Sequence, residues 1–235
     1  KTIVHLAAIS SSNDFKKNPK KAFDININGT FNLITAASKK KVKRIIFASS
    51  EWVYGEYSKE IIKEKKLIDY YDLGSEYALS KAVGENLIKY YCKQFNIKQT
   101  IFRFGIIYGP RFLKSNWSAV ESIAHKIFLG KNKIEVGSAR TARRFIYVKD
   151  VASAIYKSTK SSKTGTYNLS GDKLVSLKDI INISAKMVGR KVQIIEKNKK
   201  NFNFRNTSND LVKRTFKWKP KYSFQSGLKE IFKSF

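Results

Sequence analysis

Ser75-Glu76-Tyr77-Ala78-Leu79-Ser80-Lys81 decides how the rest of this chain is read. Apolar Ala78, Leu79, Ala82, Val83, Leu87 and Tyr90 recur at helical spacing, which predicts a helix over Glu76 to Phe95. Residues four apart on a helix are stacked neighbours, so Tyr77 and Lys81 share a face. A phenol ordinarily ionises at about pH 10, and an ammonium held close to it favours the phenolate. The pair is a candidate proton-transfer device. Ser49-Ser50, one secondary-structure unit upstream, offers a hydroxyl that could hold a reacting oxygen. The same Tyr/Lys spacing also describes many solvated helix faces, so the neighbourhood has to decide.

Working outward, Thr2 to Leu6, Arg44 to Ser49 and Thr100 to Phe104 read as buried strands. Pro19 to Ser38 reads as a helix, with Gly29 held there by close packing, since glycine weakens a helix interior by about 1 kcal/mol relative to alanine. Strands alternating with long helices argue for parallel βαβ units. Gly55 to Ser75 reads as a polar loop long enough for a functional role. After Gly109-Pro110 the texture changes. Helices are predicted over Asn116 to Leu129, Asp150 to Ser158, Ser208 to Phe216 and Ser226 to Phe235, with strands at Ile134 to Val136, Thr166 to Leu169 and Val192 to Ile195. Ser176 and Asp179 form a capping-box pattern opening a helix to Val188, which Gly189 closes.

Composition bounds the function classes. The chain has 235 residues and a formal charge of +29, carried mostly by scattered lysines. Nucleic-acid readers more often concentrate arginine and exposed aromatics on one surface, so the scattered lysines argue against a nucleic-acid function, and attraction of a phosphorylated substrate is a lesser consequence of the charge. No run of apolar residues is long enough for a membrane span. The single cysteine, Cys92, cannot form an internal disulfide, fits a reducing cytoplasm and reads as a small packing residue. His5 and His125 are isolated, with no metal-ligand spacing around them.

The motifs then fall into a known order. Ile3-Val4-His5-Leu6-Ala7-Ala8, Asn26-Ile27-Asn28-Gly29-Thr30-Phe31-Asn32-Leu33, Phe47-Ala48-Ser49-Ser50-Glu51-Trp52-Val53-Tyr54-Gly55, the Tyr77 segment, Arg103 to Arg111, Arg143 to Ala152, Asn168 to Gly171, and Trp218-Lys219-Pro220 with Gly227-Leu228 span the chain. In that order they resemble the extended short-chain dehydrogenases/reductases, specifically the NAD-dependent epimerase/dehydratase family acting on nucleotide sugars. The resemblance implies an α/β fold: a doubly wound, Rossmann-like parallel sheet over 1–110, with returning segments around 145–170, and a smaller substrate-binding lobe over 111–235. It implies Tyr77 as the acid/base on a sugar hydroxyl, Lys81 on the nicotinamide ribose and lowering the Tyr77 pKa, and Ser50 on the reacting oxygen. Ala7, Ala8, Asn26, Ser49 and the backbone near Gly105 would contact NAD (or NADP), and Ser50, Glu51, Arg143 and Arg205 the substrate, the two arginines on its phosphates. It also implies a homodimer built on the Tyr77 helix and the helix around Ile25 to Ala37.

The chain departs from the family pattern in informative places. Trp52 stands where 4,6-dehydratases carry the second acid of a pair, which argues against elimination of water. Ile106 replaces an asparagine, and Arg144 an acid. No three glycines have the dinucleotide-fingerprint spacing. By the doubly wound layout, roughly 60 residues of βα units would precede Lys1. The expectation is an N-terminally truncated chain, with an exposed sheet edge and weak NAD binding on its own. The favoured reading is a nucleotide-sugar 4-epimerase. The alternatives are another nucleotide-sugar oxidoreductase or dehydratase, or a non-catalytic RNA-binding module on the same fold.

Overall fold

The computed structural model describes residues 1–55, 58–111 and 117–235. The chain opens with β1 (Thr2–His5), α1 (Ser12–Lys17) and α2 (Pro19–Phe23), which runs through a π-helical turn (Asp24–Asn28) into α3 (Gly29–Lys39). Next come β2 (Arg44–Ser50), a 3-10 turn (Glu51–Tyr54), β3 (Ser58–Ile62), α4 (Glu76–Gln94) and β4 (Lys98–Phe104). The second half holds β5 (Ile107–Tyr108), α5 (Ala119–Phe128), β6 (Lys133–Val136), β7 (Ala142–Arg143), β8 (Ile146–Tyr147), α6 (Val148–Thr159) and β9 (Gly165–Leu169). It closes with β10 (Val175–Ser176), α7 (Leu177–Met187), β11 (Gln193–Glu196), β12 (Phe204–Thr207), α8 (Asp210–Phe216) and α9 (Phe224–Lys233).

β1, β2, β4 and β9 form one parallel sheet in that order. Every residue of β2 is buried, which explains its continuous apolar run: helices cover both faces of a parallel sheet. One core layer joins Ile34 and Ala37 of α3 to Ile45 and Phe47 of β2 and Ile88 and Cys92 of α4. The opposite layer joins Ile46 and Phe102 to Ala154 of α6 and Trp218. Cys92 is fully buried, and burial pushes its thiol up to about 11, so it packs rather than reacts. A separate core gathers α5, α7, α9 and the short strands of the second half around Tyr108 and Ile180.

Several local expectations change. The predicted loop from Gly55 to Ser75 contains β3, which pairs in parallel with β12; β12 in turn pairs with β7. The helix predicted from Asn116 begins at Ala119, capped by Ser118 with Glu121 in a capping box; Asn116 lies outside the described residues. The Ser176/Asp179 capping box forms as read. Gly29 is not demanded by packing, because a Cβ there would meet its nearest neighbour at an ordinary 3.7 Å. What distinguishes that region is the π-helical turn before it, a feature frequent at functional sites.

Candidate active site

β1, β2 and β4 run parallel, so their C-terminal ends lie along one edge of the sheet, where open α/β folds bind ligands. There Ser49 and Ser50 end β2, Gly105 follows β4, and Ala7 and Ala8 follow β1. α4 crosses this edge, its N-terminus capped by Ser75 through the backbone N–H of Ala78. Ser10, Ser49, Ser50, Trp52, Tyr77, Gly105, Ile106 and Arg111 are among the residues that line a cleft of about 260 Å³. A larger cavity of about 500 Å³ between α6, α7 and the segment before α9 carries no comparable set. Its buried carboxylate, Asp150, accepts the backbone N–H groups of Lys221 and Tyr222.

The structure brings Tyr77, Ser50 and Lys81 together. The Tyr77 phenol and the Ser50 hydroxyl border the same cleft, near enough for Ser50 to act on the phenol's ionisation. Burial pushes the phenol above its ordinary value, and the neighbouring Ser50 hydroxyl works against that rise. Lys81 does not lower the phenol as the resemblance implied. Its Nζ donates to the carbonyl of Ala48 at 2.8 Å and stands 5.9 Å from the centre of the Tyr77 ring. Burial instead pushes Lys81 itself down to about 8. Phe15 of α1, a helix not expected from the sequence, packs edge-on against Tyr77 at 6.3 Å between ring centres.

Other expected contacts take different places. Asn26 sits on the inward side of the π-helical turn and is buried. Its side chain accepts from the backbone N–H of Ile9 and donates to the Ile9 carbonyl and the Ser80 hydroxyl, all within 2.9 Å. It therefore fixes the loop after β1, with both amide N–H groups engaged inside the protein. Gly105 lines the cleft, but its missing side chain is required by packing, since a Cβ would stand 2.9 Å from the Arg144 carbonyl. Arg205 is corrected most clearly. It is 2% exposed and donates to the carbonyls of Glu51 and Gly55, both at 3.0 Å, so it is held inside the protein and not at a phosphate. Arg143 is half-buried and donates to the carbonyls of Ala142 and Asn203 and to the Asn203 side chain. Arg144 turns to Asn206 and the Asp172 carbonyl.

Glu51 is not presented to the cleft either. Its carboxyl is 1% exposed and accepts from Thr207 at 3.3 Å, while its other oxygen has no hydrogen-bond partner. Burial pushes it up to about 7 against the pull of Arg205 and Arg143.

Sequence reasoning missed a buried ion pair directly beneath the cleft. Glu85, one helical turn beyond Lys81, accepts Arg103 Nε at 2.8 Å and Nη2 at 2.7 Å. The Ser49 hydroxyl donates to the same carboxylate at 2.7 Å. Burial works to raise Glu85, yet Arg103, Lys89 and Ser49 together hold it below its ordinary value. The available signal was the i,i+4 relation of Glu85 to Lys81, on the face of α4 that must meet β2.

This edge of hydroxyls, with a lysine and a tyrosine one turn apart on a helix, fits the nicotinamide end of a dinucleotide. The profile of the NAD dependent epimerase/dehydratase family matches residues 1–170. A protein of Methanocaldococcus jannaschii is 30% identical over 232 residues, which cover 97% of this chain and 75% of that protein. The UDP-glucuronate 4-epimerase of Thermodesulfobacterium geofontis is 28% identical over 97% of this chain and 70% of its own length. The crystal structure of the Thermotoga maritima UDP-glucose 4-epimerase has the same fold, with a TM-score of 0.88 at 22% identity, over 99% of this chain and 76% of that one. The chain belongs to the NAD-dependent epimerase/dehydratase family.

Among the described residues no helix is long and apolar enough to cross a membrane. Nor do three or more His, Cys, Asp or Glu side chains converge there as a metal site.

Proposed function

We propose that this chain carries the catalytic centre of a nucleotide-sugar epimerase that inverts a carbinol carbon of the sugar. The observation that carries the reading is that Ser50 and Tyr77 line one cleft at the C-terminal edge of a parallel sheet, with Lys81 beneath it. Bound NAD would accept the hydride from the carbinol carbon and return it to the opposite face of the resulting ketone. Ser50 holds the reacting hydroxyl. Tyr77 takes its proton as the carbon is oxidised and gives one back as the carbon is reduced, so no net proton is consumed. Lys81, anchored on the Ala48 carbonyl, would hold the ribose next to the nicotinamide ring. Ala7, Ala8 and the backbone of Ser49, whose hydroxyl is turned away to Glu85, border that end of the cofactor on the same strand edge, and half-buried Arg143 is the arginine we assign to the substrate diphosphate.

Elimination of water needs a carboxylate beside the sugar. Among the described residues that line the cleft there is none: Trp52 supplies an indole, and the Glu51 carboxyl faces Thr207 inside the protein. This favours epimerisation over the dehydratase reading. The buried lone thiol suits a reducing cytoplasm.

The test is interconversion of UDP-glucose and its C4 epimer by the full chain with NAD. Tyr77→Phe is expected to lose 10²- to 10⁴-fold in rate, the usual contribution of a positioned proton-transfer group. Equal turnover by both proteins would reject the assignment.

A homodimer belongs to the same proposal. Ile25 and Phe31 before and on α3, and Tyr90 and Phe95 at the end of α4, are exposed. Phe31, Tyr91 and Phe95 form a chain of ring contacts at 5.1 and 5.9 Å. Tyr90→Lys with Phe31→Lys is expected to convert a dimer into a monomer in sedimentation velocity; a wild-type monomer would reject this surface.

A further inference from the structure

The cleft wall next to Ser50 is an indole that the fold immobilises. Trp52 lies on the 3-10 turn that leaves β2, and what remains exposed of its side chain lines the cleft with Ser50 and Tyr77. The Arg205 guanidinium stacks on its ring, 4.1 Å from the centre. That guanidinium also donates to the carbonyls of Glu51 and Gly55, one on each side of Trp52, and so braces the turn that carries the indole. The indole packs as well against the small core of Val53, Leu73, Ala78 and Ala82 under the N-terminus of α4. Gly55 closes the turn with φ at 69°, where a Cβ would stand 2.2 Å from the Asp72 carbonyl, so the turn is held from that side too. A large aromatic side chain braced this firmly and still open to a cleft is a preformed binding surface.

Its chemistry differs from that of the polar groups around it, the hydroxyls of Ser10, Ser50 and Tyr77 and the guanidinium of Arg111, while Phe104, Ile106, Ile107 and Trp117 make up an apolar part of the wall. Hydrogen-bonding groups distinguish the configuration of each sugar hydroxyl. An aromatic face does not: it takes the C–H surface of a ring whichever way the hydroxyls point. An epimerising site has to hold two sugars of opposite configuration at one carbon, presented by opposite faces of the ring.

We propose that Trp52, backed by Arg205, is the platform on which the pyranose ring packs in both of its orientations, which makes Trp52 a sugar-positioning residue with no preference between the two epimers. The proposal rests on the nucleotide-sugar reading above. The indole of Trp52 contributes to binding of the sugar and not of the nucleotide.

The experiment uses the full chain with Trp117→Phe as background, because Trp117 also borders the cleft, while Trp218 is 2% exposed. Tryptophan fluorescence is titrated with UDP-glucose, with its C4 epimer and with UDP. Both sugars are expected to change the emission where UDP does not, and the additional change Trp52→Phe is expected to remove that response. In turnover, Trp52→Ala is expected to raise KM about tenfold for both epimers alike, with kcat moved much less, and Trp52→Phe to restore most of the loss. A response to UDP equal to that of the sugars would overturn the platform. So would a KM effect confined to one epimer, or no sugar response in a protein with Tyr77-dependent turnover. A Trp52-dependent sugar response without such turnover would keep the platform and remove the epimerase reading.

Discussion

Ser49 and Ser50 are neighbours with the same side chain, yet the two sides of β2 use them for different work. Ser49 donates to Glu85, which Arg103 grips with two hydrogen bonds, in a buried network that ties the catalytic helix to the sheet. Ser50 meets the Tyr77 phenol in the open cleft. The alternation of side chains along a strand makes this division possible without any change of residue type. One side is buried and charged, and its job is to hold α4 in register. The other keeps hydroxyls available for a ligand.

The comparison can be broken from the buried side first, where the largest stability effect is expected. Glu85→Gln leaves the Arg103 guanidinium uncompensated inside the protein, and breaking such a pair costs on the order of 3–5 kcal/mol. Denaturant unfolding should show the loss; an unchanged midpoint would mean the network is not what fastens α4.

Glu51 sharpens the contrast, because it is a buried acid that the chemistry does not use. Its folded value of about 7 lies above the ordinary 4.5. The folded state therefore binds the proton more tightly than the unfolded state. The stabilisation is complete below about pH 4.5 and is lost as pH rises through about 7. Wild type minus Glu51→Gln should show this fall, on the order of 3 kcal/mol from the 2.5-unit gap. A flat difference between pH 4.5 and 8 would show the carboxyl to be better solvated than its 1% exposure implies.

Much of the cleft could be read from the sequence because it is built from contiguous motifs. The buried run of β2, the long helix α4 and the pair Tyr77/Lys81 each depend on spacing alone. What stayed hidden depends on long-range pairing. β3 was invisible in a polar loop because its partner, β12, lies about 150 residues away, and that pairing is what carries Arg205 inward over Trp52. An arginine's direction cannot be read from its identity, so Arg205 was expected at a phosphate. Asn26 was placed on the right element, but the π-helical turn that rotates it onto Ile9 has no sequence period of its own. The expectation that Lys81 lowers the Tyr77 pKa followed from helical adjacency. It failed because the nearer acceptor for the ammonium is the Ala48 carbonyl.

The most direct test sets the two serines against each other in the same two assays, C4 interconversion of UDP-glucose with NAD and denaturant unfolding. Ser50→Ala should lose about 10²-fold in kcat, the usual cost of removing one group that steadies a reacting oxygen, and unfold close to the wild-type midpoint, since the hydrogen bond its hydroxyl accepts from the Trp52 N–H is long, at 3.3 Å. Ser49→Ala should keep kcat and lose about 1 kcal/mol of stability with its hydrogen bond to Glu85. A Ser49→Ala protein as slow as Ser50→Ala, at unchanged stability, would contradict the division of labour across β2.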